Sequence, residues 1–245
     1  MQCVCCRYDE WTMVAALVRP HDTVLELGAR YGTTSCALAK ATNNSGQVVS
    51  VEPVRYVLPY LLKNRRKHEC AFHVLHGTVG HRAQRIIDRK NDPYGTYTTG
   101  DDRSDAGGPR ASCALRCPPF FSPAQVEQLI GRRFTVALID CEGCIDDLFG
   151  GAAGKHFLST LQLILLEEDQ AQTVDYAQWS RRFAAEGFTR VWHIGDSFAA
   201  HMRALRHSAW QRGGLHSDQL SCRAYSEVSR TSAKHSARVL RCLEP

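Results

Sequence analysis

Long apolar runs are missing from this sequence of 245 residues: stretches such as Leu163 to Leu166 fall far short of the roughly 20 residues that cross a bilayer. No membrane-spanning helix is expected. Blocks of one charge are missing too, since 30 Lys and Arg are interspersed with 25 Asp and Glu for a net charge of +5, which makes no clear case for nucleic acid as a partner. No basic leader precedes the short apolar patch Met13 to Val18, which follows Asp9 and Glu10 instead. A cleaved secretory signal is therefore not expected, and the reading is a cytoplasmic protein. There is no internal repeat. With 44% apolar residues, the chain is long enough for one sizeable core and too short for two full domains with linkers.

Cysteine, by contrast, is plentiful. Eleven residues are many for an intracellular protein, and an odd number cannot all pair within one chain. Cys141-Glu-Gly-Cys144 has redox or zinc spacing, and Cys113-x-x-x-Cys117 could supply a second pair. The latter lies in a Gly/Pro/Asp-rich stretch with no patterned His nearby, so ordinary free thiols are favoured over zinc. Cys3, Cys5 and Cys6 read as an exposed reduced tail, because no Gly follows the initiator Met and no polybasic neighbour supplies a second anchor for a lipid.

Strand and helix patterns alternate, as in a parallel sheet covered on both faces. Thr23 to Leu27 reads as a strand ending at Gly28, and Thr33 to Ala41 as a helix capped by Thr33. Gln47 to Val51 is a second strand. Val54 to His68 is a basic helix with apolar residues on one face, and Pro59 is expected to bend or restart it. Ala71 to Leu75 gives a third strand. Residues 91–119 are polar and unpatterned, which predicts a flexible loop or insertion. Ser122 and Pro123 open a helix running to Ile130, and strands follow at Phe134 to Ile139 and Leu161 to Leu166. A helix at Tyr176 to Ala185 leads through Gly187 to a sixth strand, Phe188 to Ile194. Beyond it the pattern predicts a helix from Met202 to Trp210 and a last strand at Ala237 to Leu243. The fold class is α/β, a doubly wound and mostly parallel seven-stranded sheet with helices on both faces. Residues 1–20 form a tail or helix and 21–245 one domain.

In such a sheet ligands bind beyond the carboxyl ends of the strands, which is where Glu26-Leu-Gly-Ala-Arg-Tyr-Gly32 lies. The turn lacks the G-x-G-x-x-G of a dinucleotide site. Glu26 would sit badly beside a pyrophosphate but suits a cationic ligand such as S-adenosylmethionine, with its amino group and sulfonium. Glu52 follows the second strand, where a carboxylate can take both ribose hydroxyls. The plainer alternatives are that Glu26 is a capping or surface carboxylate and Glu52 a solvated strand end. At the third strand end, Gly77 and Thr78 offer a backbone-accessible place to read an adenine edge.

At these residues the chain resembles the FkbM-type family of S-adenosylmethionine-dependent methyltransferases. The resemblance is carried by Leu25-Glu-Leu-Gly-Ala-Arg-Tyr-Gly32, Val51-Glu-Pro53, His76-Gly-Thr-Val-Gly80, Leu138-Ile-Asp-Cys-Glu-Gly143 and Leu165-Leu-Glu-Glu168, and spans residues 20 to 195. It implies a class I methyltransferase fold and methyl transfer, most often to a hydroxyl oxygen of a sugar or natural product. The chain departs from the family in the 91–119 insertion, in Cys141 and in its C-terminal part.

The cofactor contacts expected are Glu26, Gly28, Ala29, Gly32, Glu52, Gly77 and Thr78. Methyl transfer needs an acceptor held near the methyl carbon and a way for its hydroxyl to lose a proton. Asp140 and Glu142, leaving the fourth strand, are the first candidates for that role, and Glu167 and Glu168 the second. His76 and His193 read as packed or solvated residues. The acids give no metal ligand set, and no metal is assigned. A silent S-adenosylmethionine-binding module and a nucleic-acid or protein methyltransferase are the alternative functions, the last resting on mild basicity and on Lys63 to Lys67 alone.

Overall fold

The computed structural model describes residues 4–88, 96–100, 118–169, 171, 173–194 and 206–213. The main sheet is built from β1 (Val24–Leu27), β2 (Val48–Glu52), β3 (His73–His76), β4 (Val136–Ile139), β5 (Leu163–Glu168), β6 (Phe188–Ile194) and β7 (Arg206–Arg212). Their spatial order is β3-β2-β1-β4-β5-β7-β6, and only β7 runs antiparallel to its neighbours. The chain therefore reverses its direction of travel between β1 and β4, which creates a crevice at their carboxyl ends. The helices are α1 (Val4–Leu17), α2 (Thr33–Ala41), α3 (Leu58–Lys67), α4 (Pro123–Ile130), the short α5 (Ile145–Leu148), α6 (Gly151–Thr160) and α7 (Tyr176–Ala185).

Each strand of the sheet's centre is buried on both faces because both are covered, and apart from Glu26, Ser50 and Glu52 their residues are apolar. Val24, Val136 and Leu138 pack with Met13 and Val14 of α1, Leu38 of α2 and Leu61 of α3. Leu25, Ala137 and Ile139 pack on the opposite side with Val126 of α4, Phe157 of α6 and Phe183 of α7. Phe183 is fully buried between Trp179, Phe188 and Trp210, an arrangement contributing about 1.5–3 kcal/mol from that one side chain.

Local chemistry explains the ends of the elements. Ser122 Oγ accepts from the Gln125 N–H, and Gln125 Oε1 accepts from the Ser122 N–H, a reciprocal cap on α4. Pro59 stands in the first turn of α3, where its missing N–H has no partner to lose, so it starts the helix rather than bending it. Helix α2 is capped by Gly32, with Thr33 already inside it.

Several expectations are corrected. Residues 206–212 form β7, an interior strand, where a helix over 202–210 was expected; hydrogen bonding to β5 and β6 on either side overrides the helix formers around Met202 to Arg206. Residues 96–100, expected to be unpatterned loop, pair antiparallel with Gln84–Asp88 in a separate ribbon. Helices α5 and α6 fall in a stretch where no element was expected. Cys141 and Cys144 are bonded to each other rather than free, and a second disulfide, Cys36–Cys70, joins residues 34 apart. Residues 101–117, with Cys113 and Cys117, lie outside the described residues, as do Cys3, the side chains of Cys5 and Cys6, and 237–243. Among the described residues no helix is long and apolar enough to cross a membrane.

Candidate functional site

Parallel registers bring four strand ends to one edge of the sheet. Leu27 pairs with Val51 on one side and Ile139 on the other, and Glu52 pairs with His76. The chain leaving β1 turns sharply at Gly28, whose φ is 96° and whose N–H donates to the Val51 carbonyl at 3.1 Å. A Cβ on Gly28 would lie 1.5 Å from the Asp140 carbonyl oxygen, so only glycine lets the tips of β1 and β4 close against each other.

Above these tips is an open cleft. Gly28 and Leu27 form its base, Glu52, Gly77 and Thr78 one side, and Asp140, Cys141 and Glu142 the other. Glu52 is 2% exposed, which rules out a solvated strand end. Its Oε2 accepts from the Arg30 N–H at 2.8 Å and its Oε1 from the Val54 N–H at 2.7 Å. Burial raises its pKa above the usual carboxylate range, against the pull of these two N–H groups and the Arg30 charge. Each oxygen keeps lone-pair capacity for a further donor. On the same side Thr78 is buried and its Oγ1 has no hydrogen-bond partner.

Gly28, Glu52, Gly77, Thr78, Asp140 and Glu142, all expected from the sequence, thus border one cleft. Glu26, Ala29 and Gly32 do not. Glu26 is 1% exposed and its Oε2 accepts from Ser35 Oγ of α2 at 2.6 Å. It alternates with Leu25 and Leu27, so its side chain faces the helix rather than the strand tip. The Ala29 N–H donates to the Val51 carbonyl, and a Cβ on Gly32 would press on Leu61 at 2.6 Å, which makes its role one of helix packing. Arg30 and Gln84, which no sequence motif marks, also line the cleft. Arg30 was recognisable only as an insertion into the glycine turn.

Acidic groups crowd the β4–β5 side. Glu167 is pushed well above the usual range, first by burial and then by the charge and hydrogen bond of Asp140. Asp169 is raised by burial and then by Glu142 and Asp140, and Tyr176 Oη donates to it at 2.8 Å. The Tyr176 phenol is itself driven up by burial and the Asp169 charge. Burial thus leaves Glu167 and Asp169 holding their protons behind the cleft, whose own acids on this side are Asp140 and Glu142. The Cys141–Cys144 disulfide closes the same loop around Glu142, whose φ is 54°. Glu168 accepts from Ser208 Oγ at 2.9 Å and does not border the cleft. His76 pairs its backbone with Glu52 and does not border the cleft either, while the His193 side chain lies outside the described residues.

No protein-family profile matches the sequence, and no curated protein matches it. Solved structures do. An rRNA methylase from Streptococcus thermophilus superimposes with a TM-score of 0.50 at 8% identity, covering 83% of this chain and 94% of that one. Cofactor-bound Rv0187 from MTB gives 0.50 at 13% identity, over 86% and 81%. These likenesses show the fold: a Rossmann-like methyltransferase fold.

Proposed function

We propose that the chain is an S-adenosylmethionine-dependent methyltransferase that methylates a hydroxyl oxygen on a small acceptor such as a sugar or natural product. The observation that carries this reading is Glu52, a buried carboxylate on the cleft wall at the end of β2, held by two backbone N–H groups. Bound in the cleft, S-adenosylmethionine supplies a methyl group on a positively charged sulfur. Glu52 accepts hydrogen bonds from the ribose hydroxyls through the lone pairs that Arg30 and Val54 leave open. The unsatisfied Thr78 Oγ1 and the backbone at Gly77 face the place for an adenine edge, and the lone hydroxyl fits a polar base there.

Asp140 and Glu142 stand across the cleft from Glu52. They orient the acceptor hydroxyl and take its proton as the methyl group is transferred, which is positioning and base catalysis in one place. Asp140 and Glu142 on the cleft wall suit a cationic donor better than its neutral product by simple charge attraction. Glu26 supports the site from behind through Ser35, and Gly32 through the start of α2. The two disulfides favour an oxidising compartment over the cytoplasm expected from the sequence.

Calorimetric titration with S-adenosylmethionine and S-adenosylhomocysteine tests the cofactor, and transfer of labelled methyl to a panel of hydroxylated acceptors tests the reaction. Saturable binding with label on an acceptor oxygen is expected. Absence of binding by the folded protein overturns the cofactor reading, and binding with label found only on nitrogen, carbon or RNA overturns the acceptor reading.

A further inference from the structure

Three side chains that the proposed reaction leaves unused meet on the α1 face of the sheet. Glu10 of α1, Glu167 of β5 and His207 of β7 each bring one ligand-type atom to a point where all three atoms lie within 4.8 Å of one another. His207 and Glu167 are direct partners across the antiparallel β5–β7 pair, which puts them on one face. Helix α1 packs on both strands and lays Glu10 over them. Glu10 and His207 are 4% and 1% exposed, and the Glu167 side chain 11%.

His207 is the anomaly in this group. Neither ring nitrogen has a hydrogen-bond partner, and Nε2 stops 3.9 Å from Glu167 Oε1, too far for a hydrogen bond. A buried imidazole with both nitrogens unsatisfied is rare, and here it is aimed at two carboxylates. A neutral imidazole carries a lone pair on one ring nitrogen, which nothing else among the described residues takes up. Glu10 Oε2 is oriented by Thr34 Oγ1 at 2.6 Å, the kind of supporting contact that holds a ligating carboxylate in place.

We propose that Glu10, Glu167 and His207 form a binding site for a divalent transition-metal ion. The cation would take up the imidazole lone pair and relieve the repulsion between buried acids in one step. One imidazole with two carboxylates suits zinc, manganese or iron(II), whereas magnesium and calcium prefer all-oxygen sets. Three protein ligands leave a coordination position open. Asp140 joins this site to the cleft, since its carboxylate acts on Glu167 and it also lines the cleft wall. The site does not depend on the cofactor reading, and it departs from the expectation that no metal is assigned.

The test uses the full chain, stripped with a chelator and dialysed against Zn²⁺ or Co²⁺, with bound metal measured by atomic emission. One equivalent per chain is expected for the wild type and for His156→Ala, an exposed histidine on α6. His207→Ala should lose the ion, and Glu167→Gln and Glu10→Gln should weaken it by at least about 10- to 100-fold, the cost of losing even a residue that only supports a ligand. The two Gln variants keep the side-chain shape and carry the test if His207→Ala does not fold. The Co²⁺ spectrum should show nitrogen and oxygen ligation without a thiolate charge-transfer band. Folded wild type that retains no equivalent, retention unchanged in all three variants, or a thiolate band would each overturn the proposal.

Discussion

The α-carbon of Gly28 and the carbonyl of Asp140 approach so closely that a methyl group on the glycine would overlap the oxygen, at 1.5 Å. One residue thereby joins the turn after β1 to the acidic loop after β4. Gly28→Ala must both adopt a φ near 96° and push that loop away. A destabilisation of at least about 2 kcal/mol is expected from the strain and displacement together. Urea unfolding measures it, and a loss below 0.5 kcal/mol, on the scale of an ordinary surface change, would show the approach to be soft.

Glu52→Ala should reduce S-adenosylmethionine affinity by about 10- to 100-fold, the worth of one or two hydrogen bonds to a charged acceptor. Glu26→Ala should weaken it less, because Glu26 reaches Ser35 and not the cleft. Calorimetry on both variants decides the order, and the reverse order would mean that Glu26 turns into the cleft on binding.

Acidification should separate binding from stability at Glu52. Its folded pKa is raised, so the native state holds this proton more tightly than the unfolded chain does. As pH falls from the raised value towards the ordinary carboxylate range, the burial penalty is relieved and this group's contribution to stability rises. Over the same interval the carboxylate is lost as an acceptor and cofactor affinity falls. Comparing wild type with Glu52→Gln isolates both effects, and affinity that tracks stability would contradict the assignment.

The Cys36–Cys70 bridge ties α2 to the residues before β3 across 34 positions. Its loss in Cys36→Ser with Cys70→Ser should cost about 2–4 kcal/mol, chiefly by freeing the unfolded chain. Denaturant midpoints with and without reductant measure this, and wild type insensitive to reductant would show that the bond contributes nothing.

The Cys141–Cys144 bridge acts on the site instead. It fixes the loop bearing Glu142 beside Asp140, on the acceptor side of the cleft. Replacing both cysteines with serine should lower turnover by about 10-fold or more through misplacement of these acids. S-adenosylmethionine affinity, set on the Glu52 side, should change little. Kinetics and calorimetry on the same preparation read the two separately, and a loss confined to affinity would place the loop on the wrong side.

Much of the fold could be read in the sequence because it is written in local periodicity. The runs at Val24 to Leu27, Val48 to Val51 and Val136 to Ile139, with a glycine turn or an acid at their ends, declare buried parallel strands and their ligand-facing tips. Glu52, Gly28, Asp140 and Glu142 were accessible for the same reason: a residue that ends a strand in such a sheet has few places to be. His207 was not, since residues around it favour a helix and only pairing with Glu167 makes it part of a strand.

By itself the sequence determined the alternation of strands and helices, the doubly wound sheet and the position of a binding crevice, all consequences of apolar spacing over a few residues. Only the tertiary structure decided that Glu26 serves α2, that Cys36 meets Cys70, and that Glu10 and His207 gather around Glu167. The reason is physical. These relationships join segments distant in the chain, and packing across the sheet, not the pattern within any one segment, brings them together.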